Sequence, residues 1–188
     1  MDLIRGFFVN RTIWSYDDFL RQNECDFFIK YFSKHYETSF YGEPEVPDPD
    51  ALNYDTRIMT MALNSEAKKR DWDLPLTRWL HIRINLIRWS CFRHLYKAHS
   101  LKLIYDQIHH WPPGSAMDFH YDRPDTPWAF ICYLNDDFKG GETMLASGEM
   151  IKPKKGTLVL MNSGEIYHGV NRVIGNRFTY KGWLSPEE

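Results

Sequence analysis

The sequence has no apolar run long enough to span a bilayer, and no apolar signal segment follows Met1-Asp2-Leu3-Ile4-Arg5. Neither a membrane-embedded nor a secreted chain is expected from it. Internal repeats and low-complexity tracts are also missing, which argues against a solenoid. Cysteine is scarce: Cys25, Cys91 and Cys132 lie far apart and form no CxxC pair, so neither a disulfide framework nor a cysteine-rich zinc site is expected. Scattered thiols of this kind suit a reducing compartment, and a cytoplasmic location is expected. Charge of one sign is lacking too. A formal net charge of −2 supplies no bulk attraction to nucleic acid or to an anionic membrane, and neither is expected as a partner.

What is present is ordinary for a globular chain: 188 residues, 43% hydrophobic and 26% charged. One domain covering 1–188 is expected. The aromatic share of 16% is high and suits a β-rich core. In the first part of the chain, Asp17-Asp18 precede a segment from Phe19 to about His35 that reads as a helix. Residues 42–55, rich in proline and acid, read as a solvated loop and second as a substrate lid. From Leu76 to about Ala98, Leu80, Ile84, Ile87, Cys91 and Leu95 recur at helical spacing, with basic residues largely elsewhere. After Leu101 the pattern changes to strands at Leu101–Ile108, Trp128–Leu134, Thr157–Met161 and Arg177–Leu184, parted by glycine- and proline-bearing turns. The class expected is α+β, with helical support over about 1–100 and a β sandwich or barrel over about 101–188.

The chemistry concentrates in the second half. In an extended chain the side chains of His120 and Asp122 fall on one face and can reach one ion. An HxD pair is weak evidence by itself. His35-Tyr36-Glu37 shows how cheaply a decoy arises, and a helix there would splay its two side chains apart. His168, 46 residues after Asp122, sharpens the pattern. Two histidines and one carboxylate form the facial triad of non-haem iron(II) oxygenases, which leaves coordination positions open. Arg177 follows His168 by nine residues on a β-like run. A guanidinium inside a barrel is costly unless it meets an anion, and its fork matches a carboxylate.

At this point the chain resembles a family. Trp111-Pro112-Pro113-Gly114-Ser115, Tyr133-Leu134-Asn135 with Gly140-Gly141-Glu142-Thr143, the Lys152–Leu160 strand, and His168-Gly169-Val170 followed by Arg177 and Trp183 resemble the prolyl-4-hydroxylase-like branch of the 2-oxoglutarate/iron(II) dioxygenases. The likeness is most specific after residue 108, and Asp18-Phe19-Leu20 with Glu24-Cys25-Asp26 is similar to the family's first helix. It implies a double-stranded β-helix, or jelly-roll, backed by N-terminal helices. His120, Asp122 and His168 would bind iron(II). Arg177 would hold the distal carboxylate of 2-oxoglutarate, assisted by Tyr133, and Trp183 would shape the pocket.

The implied reaction uses dioxygen to decarboxylate 2-oxoglutarate to succinate and carbon dioxide while a C–H bond is hydroxylated. Ascorbate is the expected reductant and a peptidyl proline the first substrate expected. Halogenating relatives lack a carboxylate at the position of Asp122, so hydroxylation is favoured. A hydroxylase or demethylase of a small molecule or nucleic acid is the alternative, and a non-catalytic binding module of the same fold is the rival from another class. The acidic loop, if it met a peptide, would favour basic or neutral strands. Two departures from the family stand out. Trp111 replaces a frequent tyrosine, and Lys181 stands where a small polar residue is expected. Lys181 has inward parity, but an early end to its strand would leave it in solvent, and that placement is the one expected. The sequence carries no signal for or against self-association.

Overall fold

The computed structural model describes residues 6–10, 13–34, 59–64, 101–125 and 127–186. The helix expected at Leu76–Ala98 and the loop at 42–55 lie outside these residues, as does Cys91.

Eleven strands and one helix are described: β1 (Gly6–Asn10), β2 (Ile13–Tyr16), α1 (Gln22–Lys34), β3 (Met59–Asn64), β4 (Leu101–Trp111), β5 (Met117–His120), β6 (Trp128–Tyr133), β7 (Thr143–Leu145), β8 (Met150–Ile151), β9 (Leu158–Met161), β10 (His168–Val170) and β11 (Arg177–Pro186). They form a seven-stranded sheet in the order β1-β2-β9-β6-β11-β4-β3 and a four-stranded sheet in the order β5-β10-β7-β8. Neighbouring strands in both sheets pair antiparallel. Two antiparallel sheets of this kind, with crossovers between non-consecutive strands, make the jelly-roll sandwich.

The alternation of side chains explains the layers. On β6, Phe130 and Cys132 point to one face of the large sheet, and Ile131 and Tyr133 to the other. The first face, with Ile108, Leu158, Leu160 and Tyr180, packs on Cys25, Phe28 and Phe32 of α1. Phe28 stacks on Tyr180 with ring centres 6.2 Å apart. Full burial of each such ring contributes roughly 1.5–3 kcal/mol. The second face, with Ile13, Ile131, Tyr133, Val159 and Met161, meets Leu145 of the small sheet. The site lies between the sheets.

Among the described residues before Met59, two strands precede the helix. Ile13–Tyr16 pairs with β9 and extends the large sheet, and β1 pairs with β2 beyond it. Asp17-Asp18 do not cap α1. Asp17 accepts a hydrogen bond from the Thr157 hydroxyl at 2.9 Å, and Asp18 sits in a turn with φ 53°. The helix starts later, where the Glu24 carboxylate accepts from the Arg21 amide at 2.7 Å, half of a capping box. Phe19 and Leu20, both fully buried, anchor the turn before it.

Candidate active site

His120 ends β5 and His168 begins β10, and the two residues face one another across the ladder joining those strands. Their ring centres lie 4.5 Å apart. Gly169 permits this approach, because a Cβ there would lie 2.9 Å from the Met117 carbonyl oxygen. Each imidazole is oriented by its own backbone. Nδ1 of His120 donates to the Asp118 carbonyl at 2.9 Å, and Nδ1 of His168 donates to the Ile166 carbonyl at 2.8 Å. Both Nε2 atoms therefore carry lone pairs, as metal ligation requires.

Asp122 follows β5, its amide held by the Ser163 carbonyl at 3.0 Å. Its Oδ1 is 3.7 Å from His120 Nε2, while Oδ2 is buried with no hydrogen-bond partner. One ligand atom from each of His120, Asp122 and His168 lies within 4.8 Å of the others. Burial opposes ionisation of Asp122, but Lys181, His120, His168 and Ser163 outweigh it and hold the carboxyl well below its usual range. Burial is also the main influence on His168, moving it from the usual 6.5 down to about 4, so its ring is neutral at physiological pH. An orphaned carboxylate oxygen beside two imidazoles fits a divalent cation, and an open-sided N2O set of this kind suits iron(II).

Arg177 opens β11 opposite Trp111. It is 1% exposed, and its Nε has no partner. Its guanidinium carbon stands 4.7 Å from the centre of the Trp111 ring and 5.5 Å from that of Tyr133. Among the described residues no carboxylate pairs with it. A buried, acid-free guanidinium walled by aromatic rings calls for an anion from outside the chain.

Its neighbours fix its place. The Asn135 side chain accepts from the Phe178 amide at 2.7 Å and donates to the Asn176 carbonyl at 2.8 Å, fastening the start of β11. Gly141 lies so close that a Cβ would come within 3.0 Å of Arg177 Cδ. Tyr133 is fully buried, its hydroxyl 3.1 Å from the Thr143 hydroxyl.

A small cavity, partly open to solvent, lies between these groups, lined by His120, His168, Thr143, Arg177, Thr179 and Lys181 with apolar residues around them. Lys181 corrects the sequence-based expectation. It faces the cavity rather than bulk solvent, because β11 continues to Pro186 and is paired on both sides, with β4 and with β6. Its ammonium lies 4.2 Å from the centre of the Trp183 ring, so Trp183 backs the cavity through Lys181. His109, which the sequence did not single out, is buried on the same face between Trp111 and Trp183, with ring centres 6.5 and 6.2 Å away. Its Nε2 meets Gln107 Oε1 at 2.8 Å. The alternation Gln107-His109-Trp111 was the only available signal for it.

Residues 106–185 match the family model of the 2OG-Fe(II) oxygenase superfamily. Similar solved structures include a Pseudomonas putida prolyl-4-hydroxylase (16% identity, 94% of each chain covered, TM-score 0.72). Another is the viral collagen prolyl hydroxylase of Paramecium bursaria Chlorella virus-1 in its 2OG complex (17% identity, 95% of this chain and 98% of that one, TM-score 0.68). A third is a Trichoplax adhaerens prolyl hydroxylase in complex with a hypoxia inducible factor oxygen degradation domain peptide fragment (15% identity, 94% of this chain and 84% of that one, TM-score 0.75). No curated protein sequence matches the chain.

The family match and the fold define the class of this domain, that of the 2-oxoglutarate- and iron(II)-dependent oxygenases. Residues 106–185 carry it within a prolyl-4-hydroxylase-like fold, which supports an oxidoreductase of the dioxygenase type. Its class implies iron(II), 2-oxoglutarate and dioxygen, and the donor set described above fits them.

Proposed function

We propose that the protein is a hydroxylase acting on a peptide, with a peptidyl proline as its first-choice target and succinate and carbon dioxide as co-products. The observation that carries the reading is the convergence of two oriented imidazoles and an orphaned carboxylate on one end of a cavity whose other wall holds a buried, acid-free arginine.

His120, Asp122 and His168 are the iron ligands in this reading. Bound there, iron(II) and 2-oxoglutarate would activate dioxygen, the oxidant for C–H hydroxylation, and the protein supplies position and charge balance. Arg177 receives the distal carboxylate of 2-oxoglutarate with Tyr133 and Thr143 beside it, and the Trp111 and Tyr133 rings keep water from that ion pair. The backbone carbonyls of Asp118 and Ile166 hold the imidazole protons away from the metal side. Trp183 fixes the wall behind Lys181. Ascorbate serves as reductant after uncoupled turnover. A single domain over 1–188 acts as the unit, in the cytoplasm. No described helix is long and apolar enough to cross a membrane.

The peptide reading is supported by the Trichoplax adhaerens relative, whose structure holds a peptide fragment. Its test is succinate formation from 2-oxoglutarate with iron(II), ascorbate and a panel of proline-containing peptides. At least one peptide should stimulate turnover and gain 16 mass units, and Asp122→Ala should lower succinate formation at least 100-fold, as expected for loss of a metal ligand. Wild-type turnover in Asp122→Ala would overturn the reading.

A further inference from the structure

On the hydroxylase reading Arg177 is matched by the cosubstrate, but the cavity holds a second cation, Lys181. Lys181 lies on the same face of β11 as Arg177 and Thr179 and lines the same cavity as His120 and His168. Its ammonium has a ring, Trp183, at 4.2 Å, yet among the described residues it forms no ion pair and no hydrogen bond. Asp122 influences it through space without pairing with it. A substrate filling the cavity would strip water from this ammonium, which is costly unless an acceptor replaces it, and its position on a strand paired on both sides leaves it little room to withdraw.

Charge balance indicates what completes it, on the hydroxylase reading given above. Iron(II) brings two positive charges and 2-oxoglutarate two negative ones. Asp122 and Arg177 carry opposite unit charges, and both imidazoles are neutral when they ligate a metal. The loaded site is therefore neutral before Lys181 is counted, and Lys181 leaves one positive charge over. Both carboxylates of 2-oxoglutarate are already matched, one at the metal and one at Arg177. The remaining partner in that cavity is the substrate. A single ammonium, with no arginine fork or cluster of backbone amides beside it, suits a singly charged carboxylate better than a phosphate.

We propose that Lys181 receives a carboxylate carried by the substrate close to the C–H bond that is oxidised, so that the substrate is an acid. The carboxylate has two possible sources, the free α-carboxylate of a small amino acid or chain end, and the side chain of an acidic residue beside the target in a peptide. Either source reverses the preference for basic or neutral peptides expected from the acidic loop at 42–55.

The test is calorimetric binding to the full chain loaded anaerobically with iron(II) and 2-oxoglutarate, so that no turnover is needed. Two matched pairs serve as probes: N-acetyl-L-proline against N-acetyl-L-prolinamide, and end-capped pentapeptides with proline followed by aspartate or by asparagine. In the wild type the acid of one pair should bind at least about tenfold more tightly than its amide, and the responding pair identifies the source. Lys181→Met should reduce that ratio to within about twofold, and Lys181→Arg should keep most of it. Equal binding within both pairs, or no binding by any probe, overturns the proposal, as does discrimination that survives in Lys181→Met. A tenfold loss of 2-oxoglutarate affinity in Lys181→Met without probe assigns Lys181 to the cosubstrate and also overturns it. Failure of the wild type to bind 2-oxoglutarate would instead overturn the hydroxylase reading, and this inference with it.

Discussion

At the scale of single residues, the site depends on charges that the fold leaves without internal partners. Asp122 Oδ2 and Arg177 Nε are buried and unpartnered, and their completion by an ion and an anion would recover the cost of desolvation. Arg177→Met should therefore raise the KM for 2-oxoglutarate on the order of 100-fold while changing kcat much less, because distal-carboxylate binding is uniform between ground and transition states. Steady-state kinetics with 2-oxoglutarate as the varied substrate check this, and an unchanged KM would remove Arg177 from the proposed role. These residues were legible because each is a chemically unusual type at a telling offset: HxD, a histidine 46 residues on, then an arginine after nine more. Lys181 was misplaced because its orientation depends on where β11 ends. Parity alone pointed it inward, but only the pairing out to Pro186 shows that the strand is still regular there.

At the scale of elements, the site depends on the junction of β5 with β10 and on the start of β11. Gly169→Ala would set a methyl group against the Met117 carbonyl and push the two strands apart, and with them His120 and His168. The expected outcome is metal affinity lower by on the order of tenfold in a protein that still folds, measured by competition with a chelating dye. Wild-type affinity would show that the junction yields. On the opposite face of the large sheet, the Tyr180 hydroxyl donates to Asp106 at 2.8 Å in a fully buried bond between β11 and β4. Tyr180→Phe should cost about 1–3 kcal/mol in urea unfolding, and a loss near zero would contradict that account. The long central strands could be read from sequence because four or more residues suffice to show a period of two. The three-residue β7 and β10 and the two-residue β8 are too short for that, and they are held by pairing partners distant in the chain. The N-terminal strand β2, though four residues long, was hidden because it is held by β9, about 145 residues downstream.

At the scale of the whole molecule, α1 braces one face of the large sheet, and the small sheet closes the other over the site. The buried imidazoles give this sandwich a pH dependence. Burial lowers His168 to about 4 and His109 well below 6.5, so from pH 6.5 down towards 4 the unfolded chain binds protons that the folded chain does not. Stability then falls as pH falls through that window, with His168 contributing on the order of 1–3 kcal/mol. Asp122, whose pKa is depressed on folding, adds its own loss only at more acid pH, near and below its usual 3.8. Urea midpoints of the metal-free protein should be lower at pH 5 than at pH 7, and a midpoint that is equal or higher at pH 5 would contradict the assignment of neutral buried rings. The claim that joins all three scales is that one pocket binds iron(II) and 2-oxoglutarate together. Anaerobic titration of the metal-free protein with both tests it most directly, through the visible charge-transfer band of the iron–2-oxo acid chelate. The band should saturate at one iron per chain, be absent in His168→Ala, and need far more 2-oxoglutarate in Arg177→Ala. A folded, iron-loaded wild type that gives no band would contradict that claim.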